Sequence, residues 1–597
     1  MFGYHGICLR IDVSLGRAER VPLAEAMLRR FIGGSGLGVR LLLDQQSAGV
    51  DPLAPEAPIV FAFSPLVGSP LTTSAKFAVV SKSPLTERIN DSLVSSGFAI
   101  AGKGCGCDAL MITGRAPELS VLIIDGDSGE PNGIRLESAE EFRGKTCKET
   151  ETALRARLGA NYRVASIGAA GENRVRYATI SHDGRHAGRG GSGAVLGAKN
   201  IKAIALRGHR RTGWAHPQKL AELSKNLSRR SFGPATAKYR ELGTAANLLT
   251  FNRFNALPTR NFQLGAFPDA AAISPEELGA TRSKARKSCV SCTIGCEHIY
   301  GSETGGVRVE YENLFAMGSL CGVGDGETVL RACQRCDELG LDTISAGGTI
   351  AFAMECVERG WLDEPWLRFG SGEALLHAIG LIGTRQGLGN LLAEGSRRAA
   401  QAIGHNSIAI APQVKGLEIP GYEPRALQTM ALGFAVGARG ADHNRSGAYE
   451  VDFSDKVDRR HVTLDAVRLA IETEDKAALM DSLILCKFLR GVLTDFYAEA
   501  AEMLGNVTGW DVSAAELRET AYGIVSAKRE FNLLAGWTPA EDTLPERFLS
   551  TPLPDDPRAS LSRERLGALV AEYHRQRGWE TVPQPGGENP ASASAAR

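Results

Sequence analysis

The 597-residue sequence carries no surplus of charge, since 68 Lys and Arg face 68 Asp and Glu. A nucleic-acid binder normally shows a basic excess or stripe, so the balance argues against that class. No run of apolar residues approaches the roughly 20 needed to cross a bilayer. The amino terminus, MFGYHGICLRIDVS, lacks the charged leader and long apolar stretch of a secretory signal. It alternates instead, with Ile7, Leu9, Ile11 and Val13 on one face of a strand. The expected location is cytoplasmic. One CxxC lies apart from the cysteine motif, Cys333-x2-Cys336, but it falls within the helical run LRACQRCDELG, whereas structural zinc sites more often use two separated CxxC pairs in loops. A dinucleotide fingerprint is missing: GGSGLG at Gly33–Gly38 reads G-x-G-x-G from Gly34, with no acid in a βαβ context about 20 residues on. NAD binding is excluded.

What is present is ordinary in bulk and unusual in detail. Hydrophobic residues make up 43% and charged residues 23%, as in a soluble globular protein, and the length implies roughly three or four domains. Glycine is high: 68 residues, about 11% against a usual ~7%, so many segments turn tightly or approach something closely. In a reducing compartment the twelve cysteines are metal ligands or small buried apolar residues, and not disulfides.

Residues 1–208 read as strand and turn, with apolar runs at Ile59–Phe63, Ala78–Val80, Leu110–Ile112 and Val121–Ile124. A second glycine-rich stretch, AGRGGSGAVLGAKN, spans Ala187–Asn200. Helical periodicity dominates from about Pro217 to Gly404 and again from Pro424 to Leu534. The expected domains are a β-rich 1–208, a helical 209–412 and a helical 413–583, giving an α+β fold. The tail from Gln584 (584–597) is low in complexity and reads as disordered.

Cys289-x2-Cys292-x3-Cys296 follows a basic run and sits in a short polar, glycine-containing stretch. Three thiolates this close suit an iron–sulfur cluster, whose four corners want four thiolates. The order of the spacings is the reverse of the radical-SAM motif, and zinc is the competing reading. The fourth ligand comes from one of the other nine cysteines, and spacing does not choose among them. Two further segments, DELGLD and DSLILC, place an acid (Asp337, Asp481) five residues before a second ligand-type residue (Asp342, Cys486). This suggests two equivalent supports around one pseudo-symmetric ligand.

Ordered motifs across residues 5 to 550 resemble the tungsten-containing aldehyde:ferredoxin oxidoreductase family. They include GGSGLGVRLL, FAVVSKSPLT, GRGGSGAVLGAKNIKAI, CVSCTIGC, EYENLFAMGSLCGVGD, RGADHNR and FNLLAGWTPAEDTLPERFL. The resemblance implies a β-rich base for two pterins, capped by two mainly α-helical domains. It also implies a tungsten (or molybdenum) bis-molybdopterin, one [4Fe–4S] cluster, and Mg²⁺ bridging the pterin phosphates near the glycine-rich loops. On this resemblance Cys486 is the fourth cluster ligand beside Cys289, Cys292 and Cys296. Lys76, Leu93, Arg189, Asp337, Asp342 and Asp481 fall where the family contacts its pterins. Lys76 stands where many relatives carry Arg, so a point charge replaces a planar fork. Ile484 replaces a customary glycine.

Glu312 corresponds to the carboxylate beside the metal, with Glu310 its competitor two residues earlier, and His443 to the active-site histidine. The implied reaction oxidises an aldehyde to an acid, with Glu312 as general base and His443 polarising the carbonyl. Electrons leave through the cluster to ferredoxin or an iron–sulfur partner subunit. A homodimer or a hetero-oligomer is compatible with this. Two alternatives stand beside it: the catalytic subunit of a tungsten acyl-CoA-reducing complex, and a cluster-only electron-transfer subunit.

Overall fold

The computed structural model describes residues 1–128 and 133–580, so the tail expected from Gln584 lies outside the described residues. The β-rich half holds two six-stranded sheets. The first comprises β1 (Ile7–Asp12), β2 (Arg17–Pro22), β3 (Ile59–Ala62), β4 (Lys76–Lys82), β5 (Ile89–Ser95) and β6 (Ala109–Thr113), in the order β2-β1-β6-β3-β4-β5. The second comprises β7 (Ser120–Asp125), β8 (Ile134–Ser138), β9 (Arg163–Ser166), β10 (Ile180–His182), β11 (Arg185–Ala187) and β12 (Ile201–Arg207), in the order β11-β10-β9-β12-β7-β8.

Alternation along each strand decides what the sheets bury. Leu9, Ile11, Phe61, Phe77, Val79, Leu110 and Ile112 pack against Leu122, Ile124, Ile204 and Leu206 of the second sheet. The intervening Cys8, Val60, Ala62, Ala78, Val80 and Met111 form a second core with the helix Gly34–Asp44. That helix explains the first glycine-rich stretch. A Cβ on Gly38 would sit 2.4 Å from Val80 Cγ2, and one on Gly34 (φ +44°) 2.2 Å from the Asp481 carbonyl. These glycines let a helix lie close on a sheet, and protein atoms fill the space a phosphate would need.

Residues beyond 217 are mainly helical, built on one large apolar core and a second one around Leu220, Leu483 and Leu504. The periodicity missed a three-stranded sheet of β13 (Lys284–Lys287), β14 (Glu297–Ser302) and β15 (Gly305–Val309) that flanks the cysteine motif, and a short pair of strands at Gln413–Val414 and Leu417–Glu418. All four residues of β13 are exposed, so the strand has no buried face to leave a period-2 signal. No helix among the described residues is long and apolar enough to cross a membrane.

Candidate active site and cluster pocket

The two sequence repeats become two matching helix ends. Asp337 lies near the end of the helix Gly326–Leu339, which closes on Gly340 in the left-handed region (φ 73°, ψ 48°). Asp481 occupies the same place in the helix Asp465–Leu483, which closes on Ile484 (φ 65°, ψ 33°). A β-branched residue there costs roughly 1–2 kcal/mol. Ile484 is fully buried, however, with its Cδ1 against Gly34. Deleting such a side chain costs about 2–5 kcal/mol, more than the strain it relieves. Ile484→Gly is therefore expected to destabilise the protein by roughly 1–3 kcal/mol, read as a lowered denaturation midpoint. A gain in stability would show that strain dominates.

Both helix ends open on a cavity of ≈ 820 Å³ between the β-rich and helical halves. Lys76, Leu93 and Arg189 reach it from the first half, and Glu312, Asp337, Asp342, His443 and Asp481 from the second. Cys289, Cys296 and Cys486 also line it, while Cys292 does not. Of the twelve cysteines, these four alone are half-buried and the other eight are buried, among them Cys321. All four sulfurs act on the Lys76 ammonium: burial pulls its pKa down, but the sulfurs outweigh that and raise it. Three threonines tie these segments together. Thr73 Oγ1 accepts from the Cys486 amide (3.3 Å), and the Thr73 amide donates to the Ser291 carbonyl (2.6 Å). Thr72 and Thr293 join through their hydroxyls (2.8 Å). Among the described residues no three His, Cys, Asp or Glu side chains group to hold a metal ion. A cubane cluster carries one thiolate on each corner, and four half-buried cysteines supply that kind of donor set.

The acids differ in their commitments. Glu310 caps the helix Tyr311–Met317 and accepts from Arg308 (2.5 Å), with Arg185 at 3.6 Å. Glu312, the second residue of that helix, accepts from the Gly421 amide through Oε2 (3.0 Å), and its Oε1 has no hydrogen-bond partner. Tyr311 holds the same residue by donating to the Gly421 carbonyl. Burial pushes the Glu312 carboxyl up to about 8. His443 Nε2 lies 3.6 Å from Glu312 Oε1, and burial pulls the imidazole down to about 4, so it is neutral near pH 7. Nε2 accepts from Asn444 Nδ2 (2.9 Å), which assigns the ring proton to Nδ1, an atom without a partner.

Asp342 caps the helix Thr343–Glu358 by accepting from the Ser345 amide (3.2 Å). Its carboxylate also faces Arg189 Nε at 3.4 Å. Asp337 lies 3.0 Å from His186 Nε2. Asp481 pairs with Lys487 (2.6 Å) and Arg445 (3.2 Å). Arg189 donates to the Ala441 (2.6 Å) and Glu418 carbonyls, so its guanidinium is largely committed to backbone.

The sequence reading missed Arg439, although RGADHNR contains it. Its Nε and Nη2 lack hydrogen-bond partners in a fully buried guanidinium, with Asp442 3.7 Å from Nε. Unfilled buried donors are costly, and an anion would satisfy them. A Cβ on Gly188 would meet open space in the same cavity wall, whereas Gly190, Gly191, Gly193 and Gly197 of the second glycine-rich stretch are packed against protein atoms as the first stretch is. Also missed was an aromatic wall, because its members are scattered along the chain. Tyr422 stacks on His443 (ring centroids 4.9 Å apart), and Phe251 meets Tyr311, Tyr422 and Phe453 at 4.9, 5.3 and 5.0 Å.

With this geometry in place, comparison with known proteins is decisive. The family described as "Aldehyde ferredoxin oxidoreductase, N-terminal domain" matches residues 8–208, and "Aldehyde ferredoxin oxidoreductase, domains 2 & 3" matches residues 220–587. The chain belongs to the aldehyde ferredoxin oxidoreductase family. The tungsten-containing aldehyde ferredoxin oxidoreductase of Pyrococcus furiosus is 36% identical, with 97% of each chain covered. The aliphatic sulfonate oxidoreductase, WOR-like subunit, of the same organism is 29% identical over 97% of this chain and 95% of the relative. Among solved structures, the active-site complex BamBC of benzoyl coenzyme A reductase matches with a TM-score of 0.82 and 23% identity, covering 97% and 95%. That likeness shows the fold alone.

Proposed function

We propose that this chain is a tungsten (or molybdenum) bis-pterin oxidoreductase that oxidises an aldehyde to a carboxylic acid. The observation that carries the reading is the meeting of Glu312 and His443, each with an unpartnered buried atom, in a cavity shared with Lys76 and three of the four half-buried cysteines. When bound, the metal–pterin group supplies the electrophile and the two-electron acceptor. Asp337, Asp342, Asp481 and Arg439 would hold it, Mg²⁺ being the further cation expected with its phosphates, and Cys289, Cys292, Cys296 and Cys486 would hold the [4Fe–4S] cluster. A cytoplasmic site of action accords with twelve cysteines that are all free thiols.

This chain's own residues handle the proton and the substrate. His443 Nδ1–H donates to the aldehyde oxygen. Glu312 Oε1, as carboxylate, takes the proton from water or from the hydrated aldehyde, while the Gly421 amide fixes Oε2. Tyr311 and Tyr422, fully buried, keep bulk water from the pair. The cluster, when bound, would supply a one-electron path to ferredoxin or an iron–sulfur partner. Elemental analysis for tungsten, molybdenum and iron, with viologen-coupled turnover of an aldehyde panel, tests the reading. Iron without either heavier metal, and no aldehyde turnover, would overturn it.

The aromatic wall indicates an aldehyde with an apolar or aryl side chain. Burying one ring contributes about 1.5–3 kcal/mol, or roughly 10- to 100-fold in kcat/KM. Phenyl-bearing aldehydes are therefore expected to exceed acetaldehyde by that factor, and Phe251→Ala to erode the gap. Equal kcat/KM across the panel would remove the wall from specificity.

A further inference from the structure

The basic run ahead of the cysteine motif has no part in the chemistry above. Between Leu278 and Cys296 the chain holds four cations and no acid, in a protein whose overall charge is zero. Arg282 is neutralised by Glu327, but Lys284, Arg286 and Lys287 stand exposed along β13, the edge strand of its sheet. Lys284 Nζ donates to a backbone carbonyl, that of Glu241 (2.6 Å), and forms no close ion pair, with Glu276 acting on it only from a distance. Glu297, across the ladder from Lys287, is paired instead with Arg185 (2.6 Å). The strand runs straight into half-buried Cys289 and then Val290, which is 40% exposed.

We propose that β13 and Val290 form the docking surface for the electron acceptor, and that this acceptor is a small acidic iron–sulfur protein. The inference rests on the proposed aldehyde oxidation, which loads the cluster with the electrons to be passed on. Lysines on an edge strand also discourage sheet-to-sheet aggregation, but that role needs neither an acid-free run of this length nor a position at the cluster loop. Charge complementarity selects an acidic partner and steers its encounter, and the exposed valine supplies a desolvated contact within the charged rim. One electron passes at a time from the reduced cluster to the oxidised carrier, so two carriers are reduced per aldehyde.

The test uses the holoenzyme and a variant carrying Lys284→Glu, Arg286→Glu and Lys287→Glu. Calorimetry measures binding of an oxidised acidic [4Fe–4S] ferredoxin, and kinetics measure its KM as acceptor over a range of salt. A small viologen dye needs no docking surface, so viologen-coupled aldehyde oxidation is expected to stay within about twofold of the parent. Ferredoxin Kd and KM are expected to rise by about tenfold or more at low salt, and the gap to close as ionic strength screens the charges. Should charge reversal prevent folding, Arg286→Gln with Lys287→Gln gives a smaller shift in the same direction. Unchanged Kd and KM would overturn the proposal. So would equally tight binding of an RNA or an anionic vesicle by the parent enzyme, which would mark an unspecific polyanion patch. Absence of viologen-coupled turnover in the parent would count against aldehyde oxidation, while calorimetry would still decide the docking surface.

Discussion

Glu312→Gln is expected to lower kcat by about 10²–10⁴-fold, the range for loss of a positioned general base. Gln fills the same volume and keeps an oxygen for the Gly421 amide, so fold and substrate binding should change little. What it loses is the capacity to take a proton at Oε1, which faces His443 at 3.6 Å. The pH profile gives an independent check. Burial raises the carboxyl to about 8, so Glu312 is protonated and inactive as a base below that value. The kcat/KM of the native enzyme should therefore climb as pH rises through about 8, and the climb should vanish in the variant. His443, neutral above about 4, adds no limb in this window. Near-normal turnover in Glu312→Gln would remove Glu312 from the role. Glu310 would not then inherit it, because Arg308 and Arg185 already hold its carboxylate.

Cys486→Ala is expected to strip the cluster. The thiol is half-buried, its amide is pinned by Thr73, and it faces Lys76 together with the other three sulfurs. Without it one corner of the cube is open to water. Iron should fall from about four atoms per chain to well below half of that, and the electron-spin signal of the reduced cluster should disappear. Cys321→Ala is the control. Cys321 is fully buried and its sulfur donates to the Ala316 carbonyl (3.4 Å), so iron content should be unchanged while some stability is lost. Full iron in Cys486→Ala would assign the fourth corner elsewhere.

Much of the fold was legible because burial writes a period into the chain. The expected runs at Ile59–Phe63, Ala78–Val80, Leu110–Ile112 and Val121–Ile124 fall on β3, β4, β6 and β7, where alternate residues enter different cores. β13 was not legible, since a strand exposed on every residue writes no period. The cysteine triplet was legible from local spacing. Its partner Cys486, nearly 200 residues later, was identified only by resemblance, and the tertiary structure places it beside the other three sulfurs.

The sequence by itself determined the strand-then-helix division, the close cysteine triplet and the repeated acid-to-ligand spacing, because each depends on neighbours in the chain. Only the tertiary structure decided the rest. It turned Gly340 and Ile484 into equivalent helix ends facing one cavity, separated Glu312 from Glu310 by their partners, and committed Arg189 to backbone carbonyls while leaving Arg439 with unfilled donors. Proton affinity and free hydrogen-bonding capacity depend on what surrounds a group after folding, and those surroundings are gathered from segments hundreds of residues apart.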